Sequence, residues 1–174
     1  LSESGSESEL EPPQNEASKG TVVVTTMASD SHTWNLVFLQ LLIEELGYDV
    51  VNLGPCVPDD LLVRECRDIA PEMVVISSVN GHGYQDGMRV ISRLRAVDDL
   101  AATPMVIGGK LGIAGGEDAA HIEELMAAGF DGVFQDGVSG VADFRKFIET
   151  APAKGRELAA ASERRRLSAA NASG

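Results

Sequence analysis

Aromatics, thiols and positive charge are all scarce in this chain, and each shortage closes off a class of function. Its 174 residues include one Trp, two Tyr, five Phe and two Cys, and 14 Lys and Arg stand against 27 Asp and Glu. The formal net charge of −13 argues against a nucleic-acid or anionic-membrane partner, because phosphates are held by concentrated Lys and Arg. No apolar run approaches the roughly 20 residues needed to span a bilayer. Cys56 and Cys66 lack a zinc spacing such as C-x2-C and read as reduced core thiols of a cytoplasmic protein. The opening stretch is acidic and Ser-rich, unlike a signal peptide. What the chain does have is Val, Leu, Ile and Ala. Apolar residues make up 44% with only 5% aromatic, the balance of a one-domain α/β protein.

Residues 1–19 carry five Glu and a Pro pair with almost nothing to bury, so a disordered acidic extension is expected. Residues 153–174 are rich in Ala and Arg with a weak apolar stripe, and a disordered tail is expected there. Within it, Arg164-Arg165-Arg166 reads as a solvated charge run in preference to a partner contact. The folded domain is then 20–152. Inside it, short β-branched runs mark buried parallel strands at Thr21–Met27, Asp49–Leu53, Met73–Ser77, Pro104–Gly108 and Gly132–Gln135. Helical patterns follow each, at Leu36–Leu46, Asp59–Ala70, Tyr84–Val97, Glu117–Ala128 and Val141–Thr150. Gly47 and Gly129 stand where helices should end, each followed by an aromatic and an Asp. Five such pairs predict a flavodoxin-like (Rossmann-like) doubly wound five-stranded parallel sheet of order 2-1-3-4-5. Ligands then bind beyond the carboxyl edge, near the switch point between strands one and three.

The loops on that edge decide the ligand. No G-x-G-x-x-G follows the first strand, and Gly109-Lys110-Leu111 lacks the hydroxyl of a Walker loop. A receiver domain wants Asp and Lys where Ser77 and Gln135 stand. What the first loop offers is Asp30-Ser31-His32. An imidazole with a carboxylate two residues before it is how a protein presents a neutral nitrogen to a metal.

The first, third and fourth loops resemble the D-x-H-x-x-G … S-x-L … G-G pattern of cobalamin-binding domains from mutases and methionine synthase. The resemblance covers residues 20–150 and is closest to the small subunits of glutamate mutase (methylaspartate mutase). It is carried by Ser29-Asp30-x-His32, Val50-Val51-Asn52-Leu53-Gly54, Ser77-Ser78, Gly81-x-Gly83 and the Gly-aromatic-Asp before strand five. Two positions depart from the pattern. Val79 stands for Leu, and Asn35 stands for a Gly that permits positive φ; Asn is the residue that best tolerates that left-handed geometry.

The resemblance implies a role for each candidate. His32 is the lower axial ligand to cobalt, replacing the cofactor's own dimethylbenzimidazole, and Asp30 accepts the hydrogen bond of its Nδ1. The ordinary alternatives are an exposed loop histidine and an Asp capping the next helix. Ser77 holds the displaced nucleotide base, Val79 packs on it, and Gly108 and Gly109 leave room for it. In isolation these would read as a strand-end serine and a tight turn. Phe134 and Gly137 line the same slot. Ser29, Ser31, Thr33, Asn35, Asn80 and Gly81 complete the cofactor-binding set, and Trp34 lies against the corrin or a partner subunit. His82 is not a metal ligand and sits near the corrin amides or the partner.

The function implied is the cobalamin-binding subunit of an adenosylcobalamin-dependent carbon-skeleton mutase interconverting L-glutamate and threo-3-methylaspartate. This chain has no room for the roughly 250-residue (β/α)8 barrel that would hold the amino acid, so a separate large barrel subunit is implied. A corrinoid methyl-carrier protein and a non-enzymatic cobalamin-binding regulator are the alternatives.

Overall fold

The computed structural model describes residues 17–111, 118–150 and 164–165. Five strands form one all-parallel sheet: β1 (Thr21–Thr26), β2 (Asp49–Asn52), β3 (Met73–Ser78), β4 (Met105–Gly109) and β5 (Gly132–Gln135). Their order is β2-β1-β3-β4-β5, as the βα alternation predicts. Val22 and Val24 of β1 pair with Val50 and Asn52 on one side and with Met73 and Val75 on the other. The intervening helices are α1 (Trp34–Glu45), α2 (Asp59–Ile69), α3 (Gly83–Arg95), α4 (Asp118–Ala128) and α5, the helical residues 138–150. The differences from the sequence expectation are small: α3 ends at Arg95, two residues before Val97, and α1 and α5 start early. α1 begins at Trp34, and α5 begins three residues before Val141.

Alternation along each strand divides the core in two. Val22, Val24, Val75 and Val106 pack beneath Leu36, Leu42 and Ile43 of α1 and Phe144 and Ile148 of α5. On the opposite face, Val23, Val74, Ile76, Met105 and Ile107 meet Leu62 and Cys66 of α2, Leu94 of α3 and Leu125 of α4. Both faces of the sheet are therefore covered, which is why its strands read as continuous apolar runs. Gly47 and Gly129 have positive φ (93° and 130°), as the helix ends require, while α2 ends on Ala70 in a left-handed conformation without a glycine.

The expectation of two core thiols holds for Cys66 alone. Cys66 is buried, and burial pushes its thiol up to about 12. Cys56 is exposed on the loop after β2, where its N–H is held by the Asp30 carbonyl (2.8 Å) and Thr26 Oγ1 (3.0 Å). The disorder expected for residues 1–19 and 153–174 falls largely outside the described residues. Lys19, just inside them, already donates its N–H to the Gly47 carbonyl at 2.9 Å, and Arg164 and Arg165 are helical and exposed. Among the described residues no helix is long and apolar enough to cross a membrane.

Candidate cofactor-binding site

β1 delivers the loop of residues 27–33 to the carboxyl edge, beside the loop that leaves β3. Asp30 is fully buried at the join. Its Oδ1 accepts from His32 Nδ1 at 2.8 Å and from the His32 N–H at 3.0 Å, while Oδ2 accepts from the Val79 N–H at 2.7 Å. Burial pushes the Asp30 carboxyl up, but the N–H donors of Val79 and His32 and the imidazole outweigh it, so its pKa lies below the ordinary value. A carboxylate in that position fixes the imidazole proton on Nδ1 and leaves Nε2 as a free lone pair. The His32 side chain is 57% exposed, so that lone pair is accessible. The capping alternative for Asp30 does not hold. Thr33 is the cap of α1 and makes no side-chain cap bond, and both Asp30 oxygens are engaged elsewhere.

Beside this loop, a cavity of about 140 Å³ runs between the sheet and helices α1 and α5. Ser77, Gly108 and Gly109 form its floor, Phe38, Phe134 and Phe144 its walls, and Val79 and Gly137 also line it. Phe134 meets Phe144 and Phe147 edge-on, with ring centres 5.5 and 5.6 Å apart. The glycine pair has two separate causes. Gly109 has φ 104°, and a Cβ there would lie 2.2 Å from the Ser78 carbonyl oxygen, so the backbone itself demands glycine. At Gly108 the nearest obstacle is the Phe134 carbonyl, 3.1 Å away.

Asn35 does not take the left-handed geometry expected of a stand-in for the motif glycine. It lies in the first turn of α1, and Cys56 and Ala70 are the described non-glycine residues with positive φ. Helix α1 starts early enough to absorb the position. From there Asn35 Nδ2 donates to Ser77 Oγ, while Asn35 Oδ1 is buried without a partner among the described residues. A buried, unsatisfied carbonyl costs about 1–3 kcal/mol. A ligand bearing a hydrogen-bond donor would relieve it, so the slot fits a group with polar as well as apolar edges.

The remaining candidates separate from the cavity. Ser29 and Asn80 join two loops to each other: Asn80 Nδ2 donates to the Ser29 carbonyl (2.8 Å) and to its Oγ (2.9 Å). Ser31, Thr33 and Trp34 are exposed on the same edge, Trp34 to 86%. Gly81 has φ 84° with open space around it. His82 is exposed, and its N–H donates to Asn80 Oδ1 at 3.0 Å. Among the described residues no three His, Cys, Asp or Glu side chains stand together as a metal cluster. Sequence reasoning missed Phe38 and Phe144 in the walls, and Asp86, which takes a hydrogen bond from Ser29. No sequence signal singled out Phe38, because α1 is apolar on nearly every side and so shows no directional stripe.

Comparison with known proteins identifies the constellation. Residues 20–145 match the B12 binding domain. The chain belongs to the B12-binding domain family. It is 31% identical over 129 residues to the glutamate mutase sigma subunit of Halobacterium salinarum, covering 73% of this chain and 85% of that one. Its identity to the glutamate mutase sigma subunit of Escherichia coli O157:H7 is 30% over 119 residues, covering 67% and 77%. In three dimensions it is similar to a cobalamin-binding protein from Desulfitobacterium hafniense, with a TM-score of 0.59 at 21% identity. That match covers 75% of this chain and 58% of the other, so the chain spans little more than half of that protein's length and the likeness speaks for the fold alone.

Proposed function

We propose that this chain is the cobalamin-carrying subunit of glutamate mutase, using adenosylcobalamin to interconvert L-glutamate and threo-3-methylaspartate with a separate catalytic subunit in the cytoplasm. The observation that carries the reading is the His32–Asp30–Val79 arrangement, an accessible imidazole nitrogen whose ring is locked by a buried carboxylate. The sigma-subunit relatives support the mutase over a methyl carrier or a regulator.

Each residue then has a physical task. His32 Nε2 would be the protein ligand to cobalt, and Asp30 fixes the tautomer and orientation of the ring and makes it more electron-rich. Ser77, with its hydroxyl shared by Asn35, and the apolar walls of the slot hold the nucleotide tail. When bound, adenosylcobalamin supplies homolysis of its cobalt–carbon bond, the source of the radical that the rearrangement needs. The protein's contribution here is ligation and orientation.

Substrate recognition belongs to the partner, which we take to be a (β/α)8 barrel covering the carboxyl edge. Trp34, Val37, Phe38 and Leu41 form an exposed apolar stripe on α1 that starts two residues after His32. Stripes of this size on a soluble domain mark a surface that something covers.

The test is His32→Ala in the full chain reconstituted with hydroxocobalamin and reduced to Co(II). With its histidines labelled with 15N, the wild type should show the two-line splitting of an imidazole nitrogen, distinct from the three-line splitting of the cofactor's own 14N base. The variant should keep its circular dichroism while losing the two-line pattern. Identical spectra from the two proteins would overturn the assignment. Glutamate consumption with a candidate large subunit should fall in parallel.

A further inference from the structure

We propose that Asp86 and Arg89 of α3 are positioning residues for the cobalt-ligating loop, setting through Ser29 where His32 is presented. The inference rests on the cobalamin reading above and adds to it the means by which the loop is held to the body of the domain.

Asp30 orients the imidazole but belongs to the same loop, so the loop needs anchors of its own. On the β2 side, the Asp30 carbonyl accepts from the Cys56 N–H (2.8 Å) and from Thr26 Oγ1 (3.0 Å). On the α3 side, the anchor is Ser29, whose hydroxyl donates to Asp86 Oδ2. Asp86 is 8% exposed, and a carboxylate so buried is costly unless its oxygens are engaged. Both are. Oδ1 accepts from Arg89 Nη1 at 2.5 Å and Oδ2 from Ser29. Arg89 in turn forks onto Asp59 of α2, through Nε at 2.7 Å and Nη2 at 3.2 Å. The rigid guanidinium thus ties two buried carboxylates in a fixed geometry. A bridge serving only to clamp α2 to α3 would not need the second Asp86 oxygen. Here that oxygen reaches the loop at Ser29, the residue immediately before the buried Asp30, and Asn80 closes the circuit back to Ser29. Bonded partners behind a metal ligand control its placement as well as its basicity.

The experiment compares Ser29→Ala, Ser29→Thr, Asp86→Asn and Arg93→Ala in the full chain, using hydroxocobalamin as probe. Arg93 bridges the same two helices through Asp59 and Asp60 without touching the loop, so it serves as the structural control. Binding is followed by absorbance titration, ligation by the two-line Co(II) splitting from 15N-labelled histidine, and fold by thermal melting of the unloaded chain. Ser29→Ala and Asp86→Asn should bind roughly tenfold more weakly, the lower end of the effect of outer partners at metal sites. Their imidazole splitting should be partly lost. Ser29→Thr, which keeps the hydroxyl, should restore both, and Arg93→Ala should lower only the melting temperature. Wild-type affinity and splitting in Ser29→Ala and Asp86→Asn, with only the melting temperature moved, would overturn the proposal and leave the cobalamin reading intact. Absence of imidazole splitting in the wild type itself would sink both.

Discussion

On the face covered by α2, α3 and α4, side chains meet with no room to spare: a Cβ added at Gly87 would lie 2.8 Å from Ile107 and 3.2 Å from Leu125. On the face covered by α1 and α5, the same sheet leaves a cavity of about 140 Å³, an unsatisfied Asn35 oxygen and a helix showing apolar side chains to solvent. The strands feeding the two faces are one set of alternating residues, so the difference lies in what the helices and the floor supply. Gly108, Gly109 and Ser77 give the open face a floor too small to fill it. The closed face holds the fold, and the open face gives up packing where the proposed cofactor and partner would enter. The loop carrying His32 is tied to the closed side by the Ser29 hydroxyl on Asp86, and to the loop after β2 by the Cys56 N–H on the Asp30 carbonyl.

The comparison breaks first, and most heavily, at Leu125. This side chain is fully buried among α3, α4 and the sheet, so Leu125→Ala deletes its atoms where the surroundings cannot collapse. The expected loss is about 3 kcal/mol or more, read from urea unfolding midpoints at constant m-value. A loss below about 1 kcal/mol would show that this face is as yielding as the other.

A smaller effect, with a pH signature, is expected at Asp59. The hydrogen bond from Arg89 holds its carboxyl below the ordinary 3.8; burial opposes this, and the charges of Arg89 and Arg93 add to the lowering. A lowered native value means that the unfolded chain binds more protons in acid. The contribution is therefore full above the unfolded value and is lost as pH falls through the native one. Asp59→Asn should cost about 1 kcal/mol at neutral pH, because Arg89 is half exposed and solvent screens the pair. The gap between variant and wild type should close in acid below about pH 4. A gap that stays constant into the acid limb would mean that the ion pair does not stabilise this face.

The same contrast explains what could be read without coordinates. Sheet order and helix placement follow from local signals: β-branched runs, glycines at helix ends and five regular repeats of strand and helix. The Asp30–His32 pair was legible because two-residue spacing alone lets a carboxylate reach the ring. Phe38 in the wall of the slot was not, because a helix as uniformly apolar as α1 does not declare which side faces the sheet. Asn35 was misread for a related reason. Its conformation depends on where α1 starts, and no Pro or Gly fixes that start. The link from Ser29 to Asp86 spans 57 positions and exists only once the fold has brought α3 beside the first loop. Burial on the closed face is what makes such a charged link necessary, and no pattern in the chain announces it.

Leu41→Ala removes the same atoms as Leu125→Ala and should give the smallest change of the set. Leu41 is 62% exposed on α1, in register with Trp34, Val37 and Phe38 at spacings of three and four residues. In the free chain its removal should shift stability by less than about 0.5 kcal/mol, since little area returns to water and Ala favours the helix slightly. The difference between the two leucines therefore measures burial alone. If α1 turns this stripe toward the catalytic subunit, the same variant should weaken association measurably in a titration of the two subunits. Unaltered association would take the stripe out of the interface. A stability loss matching that of Leu125 would show that the outer face of α1 is packed after all, and the contrast between the two sides of the sheet would fail.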